Sequence, residues 1–411
     1  MKFPKIGVAA TASILLGTSG FVASEEEGFV PFSKASLYAQ FRPRYEYADI
    51  DNNANDTAHA LTARTVLGGE FSQLGGAKGL SGHLEATNVS HFGLVDDYSP
   101  EQGGYETIMD PSQTRMTQAH LTYKVGGTSL IAGRKIHTFD NQRFIGHVGW
   151  RQMPQSYDLL AANHTVNGLS LTGAYVTRVN RITENGKLDT NSILMHGLFP
   201  IGKDFKLSTY GYMLSSIHDT FGLRATGNTN FSGIKLSYEA EYAFQDKPTL
   251  KEESMGDIRP DHEADYYKVG FRANYTGFLF GLDYEILGKK EGSCMVGGPF
   301  CGAFNTPLAT LHGMNGWADK FLGTPPAGLV DTTVTVGYIS KKYGRVIALY
   351  RNFESDEGSK DYGQEFDLIY VNKLYKNLGL TLKTAFYKEG DDLANGDTTK
   401  FWAMLDYRFN F

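Results

Sequence analysis

The sequence predicts an all-β fold: a transmembrane antiparallel β-barrel of about 18 strands, with short turns at one rim and long loops at the other. Three observations support this. Segments of alternating apolar and polar residues, each about 9–11 residues long, recur from Leu37 to the C-terminus. Short glycine-containing turns alternate with long polar connections. Beyond the N-terminal segment, no apolar run reaches the ~20 residues that a membrane helix needs.

The first alternating segment shows the pattern. One side is apolar and carries Leu37, Ala39, Phe41, Pro43, Tyr45 and Tyr47. The other side is polar and carries Tyr38, Gln40, Arg42, Arg44 and Glu46. Such alternation is typical of a strand with one face toward lipid and the other toward a wet lumen.

The connections between segments fall into two classes. Short turns lie at 125–128, 275–277 and 340–344, and long polar connections lie at 90–113, 134–155, 245–264, 287–328 and 388–399. This asymmetry is typical of outer-membrane barrels, which have tight periplasmic turns and long external loops. No linker or change of composition divides the chain, so residues 25–411 are expected to form a single barrel domain.

The N-terminus has the layout of a secretory signal peptide. A short basic segment, 1–5, precedes an apolar stretch, 6–22, and small residues stand before the acidic run that begins at Glu25. We therefore expect residues 1–24 to be a leader that is removed on export. An apolar N-terminal helix of a cytoplasmic protein is the alternative.

Composition narrows the function classes. Glycine (47) and tyrosine (24) are abundant, which suits tight turns and membrane interfaces. The net charge of -6 disfavours nucleic acid as a partner. We find no nucleotide-binding glycine motif and no nucleophile elbow, so we expect no cofactor.

The chain has two cysteines, Cys294 and Cys301. In an exported protein, a small loop closed by a disulfide is the favoured interpretation. Free thiols or a metal site are the alternatives, and His312 is the nearest further ligand. We expect no metal.

The chain ends in a strand whose apolar side includes Tyr407, Phe409 and Phe411. A terminal Phe preceded by aromatics two and four residues earlier resembles the assembly signal of bacterial outer-membrane barrels. This resemblance implies the outer membrane as the location. It also implies the barrel-assembly machinery, outer-membrane lipid and lipopolysaccharide as partners.

Two long connections combine cations, aromatics and glycines. The first contains Gly133-Arg134, Arg143-Phe144-Ile145-Gly146, Trp150-Arg151-Gln152 and Tyr157-Asp158; the second contains Pro307-Leu308, His312-Gly313, Gly316-Trp317-Ala318-Asp319 and Gly328-Leu329-Val330-Asp331. Both stretches resemble signature segments of the alginate-export family of outer-membrane barrels. The resemblance implies a monomeric eighteen-stranded channel, with Arg134, Arg143 and Arg151 as pore or loop-anchoring cations and Asp158 as a lumenal carboxylate.

Charges on the inward side are unevenly distributed around the predicted wall. A basic wall is expected where the last and first strands meet, from Arg42, Arg44, Arg64 and Arg408. Carboxylates are expected farther round, from Glu239, Glu241, Asp283, Glu285, Glu365 and Asp367. Facing walls of opposite sign would orient polar solutes and select by charge.

These features predict a channel for the passive passage of small hydrophilic or anionic solutes, and not an enzyme. A dedicated exporter of an acidic polysaccharide is the alternative within transport. An enzyme on a barrel scaffold, or an adhesin with a plugged pore, are alternatives from other classes. The sequence leaves the solute and the oligomeric state open.

Overall fold

The computed structural model describes residues 31–51, 54–250, 263–289 and 303–411. The expected leader and both cysteines, Cys294 and Cys301, lie outside the described residues. Within them, nineteen strands form one antiparallel sheet, and Leu74–Gly76 forms a short 3-10 helix. The strands are β1 (Lys34–Ile50), β2 (Ala58–Ser72), β3 (Leu80–Ser90), β4 (Asp96–Asp97), β5 (Gln113–Val125), β6 (Thr128–Lys135), β7 (Ser156–Val166), β8 (Leu169–Asn180), β9 (Lys187–Ile201), β10 (Phe205–Leu214), β11 (His218–Phe231), β12 (Ile234–Asp246), β13 (Ala264–Tyr275), β14 (Phe278–Leu287), β15 (Leu329–Ser340), β16 (Gly344–Glu354), β17 (Asp361–Tyr375), β18 (Leu378–Lys388) and β19 (Thr398–Asn410). No helix of the described chain is long and apolar enough to cross a membrane.

The sheet closes on itself. Strand β1 pairs with β2 on one side and with β19 on the other, so the first and last strands are neighbours. The two-residue strand β4 pairs with the end of β2, while β3 pairs directly with β5. Apart from β4, the described strands form an eighteen-stranded closed antiparallel barrel. The predicted fold class is confirmed.

Turn chemistry explains the tight rim. Between β7 and β8 the two turn residues, Asn167 and Gly168, have φ of 50° and 83°. Positive φ at both positions is the type I′ geometry, whose twist matches that of antiparallel strands. Thr276 and Gly277 repeat it between β13 and β14, at φ of 50° and 96°. Tight turns therefore lie at one rim and long connections at the other, as predicted.

The outer surface of the barrel is apolar. Side chains such as Leu67, Leu160 and Val269 are more than half exposed, at 56%, 59% and 60%. The C-terminal aromatics continue this surface, with Phe411 77% exposed and stacked on Phe409 at 6.3 Å. Because a closed sheet satisfies its backbone groups internally, such a surface suits contact with lipid.

Candidate functional site

Two long connections fold into the barrel. We call residues 136–155, between β6 and β7, the first inserted loop, and residues 303–328, before β15, the second inserted loop. Their apolar side chains are buried against lumen-facing tyrosines of the wall. The first loop contributes Phe139, Phe144 and Ile145, the second Phe304, Leu308, Trp317 and Phe321, and the wall Tyr210, Tyr212, Tyr266 and Tyr387. Wide barrels are expected to hold water, but here the inserted loops fill part of the lumen with a hydrophobic core.

The two inserted loops also bind each other through their backbones. The Gly146 N–H donates to the Leu308 carbonyl at 2.8 Å, and the Thr310 N–H donates to the Gln142 carbonyl at 3.0 Å. A side chain at Gly146 would collide with the backbone of Thr310. Glycine is therefore required for this close approach, and the loops form one unit inside the barrel.

Two arginines of β1 hold the first inserted loop against the wall. Arg42 donates to the carbonyls of Gly149 at 3.0 Å and Arg151 at 2.6 Å. Arg44 donates to the Trp150 carbonyl at 2.6 Å and also pairs with Asp110. Both arginines are buried, at 6% and 1% exposure. Both face inward as expected, but they anchor the loop. Arg44 therefore does not line an open pore.

Arginines of the first inserted loop are themselves buried in ion pairs. Arg151 contacts Glu46 of β1 and Asp319 of the second loop, both at 3.0 Å. Arg143 contacts Glu285 of β14 at 3.1 Å. It also donates to Asn315 of the second loop at 2.9 Å. These residues join the loops to two separate parts of the wall, which agrees with an anchoring role and not with exposure to a solute.

The carboxylates expected on the acidic wall face inward, but most are already paired. Glu239 pairs with Arg224 and Lys268, and Asp283 with Arg272. Glu241 accepts from Tyr210 and pairs with Arg224. Asp367 pairs with Arg351 at 3.4 Å. Cations of the same wall therefore offset part of this negative charge, with Arg224 shared by Glu239 and Glu241.

Glu365 serves the second inserted loop in another way. Its carboxylate accepts the backbone N–H groups of Trp317 and Ala318, the latter at 3.0 Å. Gly316 precedes them at φ of 89°, and a side chain there would collide with Glu365. The Gly-Trp-Ala-Asp motif is thus explained locally: glycine admits the carboxylate that fixes the loop.

Arg134 and Asp158 lie on the outer face of the barrel. This corrects the expectation that Asp158 is a lumenal carboxylate and that Arg134 is a pore or loop-anchoring cation. They pair with each other at 2.6 Å, from β6 to β7. The neighbours of Asp158, Tyr157 and Leu159, are buried in the internal core at 0% and 3% exposure. Successive side chains of a strand point to opposite faces, so Asp158 points outward.

A cavity of about 510 Å³ lies between the first inserted loop and strands β1, β2, β3 and β19. Arg42, Arg64 and Arg408 line it, together with Tyr38 and Glu85. Arg64 stands directly opposite Arg42 in the β1–β2 register. Arg408 stands opposite Gln40, below the position expected beside Arg42 and Arg44, and pairs with Asp406 at 2.8 Å. This cavity therefore brings three arginines together at the surface of the lumen.

Burial and pairing shift the pKa values of two groups in the second inserted loop. Burial lowers the pKa of His312 to about 3, so the ring is neutral near pH 7. Burial alone would raise the pKa of Asp319, but His312, Lys400 and Arg151 lower it well below its usual value. The His312–Asp319 contact of 2.7 Å therefore joins a neutral imidazole to a carboxylate.

The site contains residues that were not among the expected site residues. Lys383 of β18 lies among Trp150, Trp317 and Trp402, and His312 lies beside it. The presence of just three tryptophans in the chain, two of them in the motif-bearing connections, was the available signal. Within the described ranges, no group of three or more His, Cys, Asp or Glu could hold a metal ion.

No family model matches the chain, and no curated protein matches its sequence. Solved structures match its fold over nearly the whole length. A BenF-like porin from Pseudomonas fluorescens Pf-5 is 14% identical, with a TM-score of 0.73 over 93% of this chain and 100% of that one. The chain has an outer-membrane porin fold.

Two further structures support this assignment. OccAB2 from Acinetobacter baumannii is 16% identical, with a TM-score of 0.71 over 94% of this chain and 100% of that one. OpdK from Pseudomonas aeruginosa, solved with vanillate, is 11% identical, with a TM-score of 0.67 over 93% and 100%. The alginate-export resemblance is not confirmed by these comparisons.

Proposed function

We propose that this protein is an outer-membrane channel for the passive passage of small hydrophilic solutes, and that it favours small anions. The observation that carries the proposal is the cavity lined by Arg42, Arg64 and Arg408 inside an apolar-surfaced barrel. Its volume of about 510 Å³ lies in the ~300–1,000 Å³ range typical of small-molecule sites. Export through a leader at 1–24 and assembly through the C-terminal aromatics are part of the same proposal.

The charge balance of the cavity favours an anion. Three arginines outnumber the nearby carboxylates, because Glu85 lines the cavity and Asp406 pairs with Arg408. Glu85 already accepts hydrogen bonds from Tyr38 and Thr117, both at 2.6 Å. In the described structure, the buried Nε atom of Arg64 has no hydrogen-bond partner. A guanidinium N–H without an acceptor is costly to bury, and a carboxylate oxygen is a natural acceptor for it. The vanillate of the OpdK structure is an aromatic carboxylate of this kind.

Ion selectivity in planar bilayers tests the proposal. In a KCl gradient, the wild-type reversal potential is expected to indicate a preference for chloride, and Arg64→Gln is expected to reduce it. Arg178→Gln is the matched control, because Arg178 pairs with Asp189 and is 41% exposed outside the core. Cation selectivity of the wild type would contradict the preference for anions. Absence of conductance would favour a plugged barrel, and turnover of lipid or peptide substrates would favour an enzyme.

Export of an acidic polysaccharide is the narrower alternative. Of the three arginines matched to that family, Arg143 and Arg151 are buried in ion pairs and Arg134 faces outward. The geometry therefore favours small anions over a polyanion. Blockade of single-channel current separates the two: we expect vanillate to interrupt the current, whereas an exporter would be blocked by oligouronates and not by vanillate.

A further inference from the structure

The lumen contains an aromatic cage around one lysine. The Lys383 ammonium lies 3.7 Å from the ring centroid of Trp317, 4.2 Å from that of Trp150 and 5.2 Å from that of Trp402. The chain has three tryptophans, so this cage contains all of them. Such distances lie within the ~6 Å range of cation–π attraction, which is strongest for tryptophan.

The cage members come from three separate parts of the fold. Lys383 and Trp402 are cross-strand neighbours on the wall, in β18 and β19. Trp150 belongs to the first inserted loop, and Trp317 to the second. One ammonium group therefore attracts both inserted loops to the same place on the wall.

Two hydrogen bonds through the His312 ring complete the cage. The Lys383 ammonium donates to Nε2 of His312 at 2.6 Å, and Nδ1 of the same ring contacts Asp319 at 2.7 Å. This arrangement requires a neutral ring that donates from Nδ1 and accepts at Nε2. The His312 ring also stacks on Trp150, at 4.8 Å and 9°. Both loops therefore contact Lys383 directly, the first through Trp150 and the second through Trp317 and His312, and the Trp150–His312 stack joins the two loops beside it.

The contacts of the Lys383 ammonium differ from those of most buried lysines. Lys383 is 5% exposed, yet it is not a member of any ion pair found in the described residues. Buried lysines are normally paired with carboxylates. Here the faces of three rings and one imidazole nitrogen make the direct contacts, while the carboxylates of Asp367, Asp319 and Glu365 act at longer range. The energy of burying the charge therefore depends in part on both loops being in place.

We propose that Lys383 is a positioning residue, a latch that helps to hold both inserted loops against the same part of the wall. Removing its charge weakens the docking of Trp150, His312 and Trp317 against the wall and widens the passage beside them. The expected widening rests on the proposed channel function, whereas the weaker docking of the loops does not.

Lys383→Met and Lys383→Arg test the latch. The first removes the charge and keeps a long apolar side chain, and the second keeps a cation that can lie over the rings. We expect Lys383→Met to increase single-channel conductance and current noise. Amide exchange at 312–319 should become roughly 30-fold faster, because the loss of one desolvated cation–π contact shifts the docking equilibrium of the loop by about that factor. Lys383→Arg should stay close to wild type in both measurements.

Lys206→Met is the matched control, because Lys206 is an exposed lysine in β10 that takes no part in the cage. If Lys383→Met does not fold, Trp317→Phe weakens the same contact and is expected to give a smaller shift in the same direction. Wild-type exchange and conductance in a folded Lys383→Met or Trp317→Phe barrel would overturn the latch. Absence of conductance in every variant, with faster loop exchange in Lys383→Met, would overturn the channel function and leave the latch standing.

Discussion

Arg151→Met tests whether the inserted loops are held by buried charge. Arg151 joins Glu46 of the wall to Asp319 of the second loop through contacts of 3.0 Å each. The three side chains are 8%, 1% and 5% exposed. Methionine keeps much of the side-chain length but removes the cation, so two buried carboxylates lose a common partner.

The size of the expected effect depends on the partners that Glu46 and Asp319 keep. Breaking a buried ion pair typically costs about 3–5 kcal/mol, because a charge is left without compensation. Glu46 keeps Arg44 at 2.9 Å, and Asp319 keeps Lys400 at 3.1 Å and His312 at 2.7 Å. The cost should therefore lie near the lower limit, at about 3 kcal/mol. This corresponds to a loop-opening equilibrium roughly 150-fold more favourable.

Hydrogen exchange of backbone amides measures that equilibrium directly. Amides at 143–152 and 312–319 should lose protection by roughly 150-fold, while strand amides keep theirs because the wall bonds are unaffected. Arg178→Met breaks an exposed Arg–Asp pair and should change protection by less than about fivefold. Unchanged loop protection in Arg151→Met would refute the anchoring role. Equal losses in loops and strands would show that the charge stabilises the barrel instead.

Three further outcomes follow from the same geometry. Because burial lowers the pKa of His312 from 6.5 to about 3, loop docking is complete above about pH 6.5 and weakens as the pH falls toward 3. Loop protection should fall about 30-fold between about pH 7.5 and 5, and His312→Gln should abolish that dependence. Asp158→Asn should leave the reversal potential unchanged because Asp158 faces outward, whereas a shift would place it in the lumen. Deleting Phe411 should lower the amount of folded barrel in outer membranes but not refolding in detergent, as judged by heat-modifiable mobility.

The alternation of side chains was enough to predict the barrel, because lipid outside and polar groups inside impose a period of two on most strands. It failed where the inserted loops make the interior apolar. At the upper end of β7, Tyr157 and Leu159 point inward into the core that the loops build, and the charged Asp158 points out. The alternation within a strand does not reveal which loop will pack on it. The face that Asp158 occupies could therefore not be predicted from the sequence of β7 alone.

The register between strands is the second feature that the sequence could not predict. Alternation fixes which face a residue occupies, but a shift of two residues leaves every face unchanged. The first and last strands were correctly predicted to be neighbours, and Arg408 does face inward. Its partner in the closed barrel is Gln40 and not Arg42 or Arg44. Arg408 therefore pairs with Asp406 at the edge of the cavity, where it is 69% exposed.

Selectivity in such an interior depends on which charges lack partners, and not on how many there are. Glu285 and Glu365 are occupied by the inserted loops, and Glu239 and Asp283 by neighbouring cations. Arg44, Arg143 and Arg151 are neutralised in the same way. At the cavity the three arginines, Arg42, Arg64 and Arg408, outnumber the carboxylates of Glu85 and Asp406, which leaves an excess of positive charge. The low dielectric of the surrounding wall screens this charge poorly, so its field extends into the cavity.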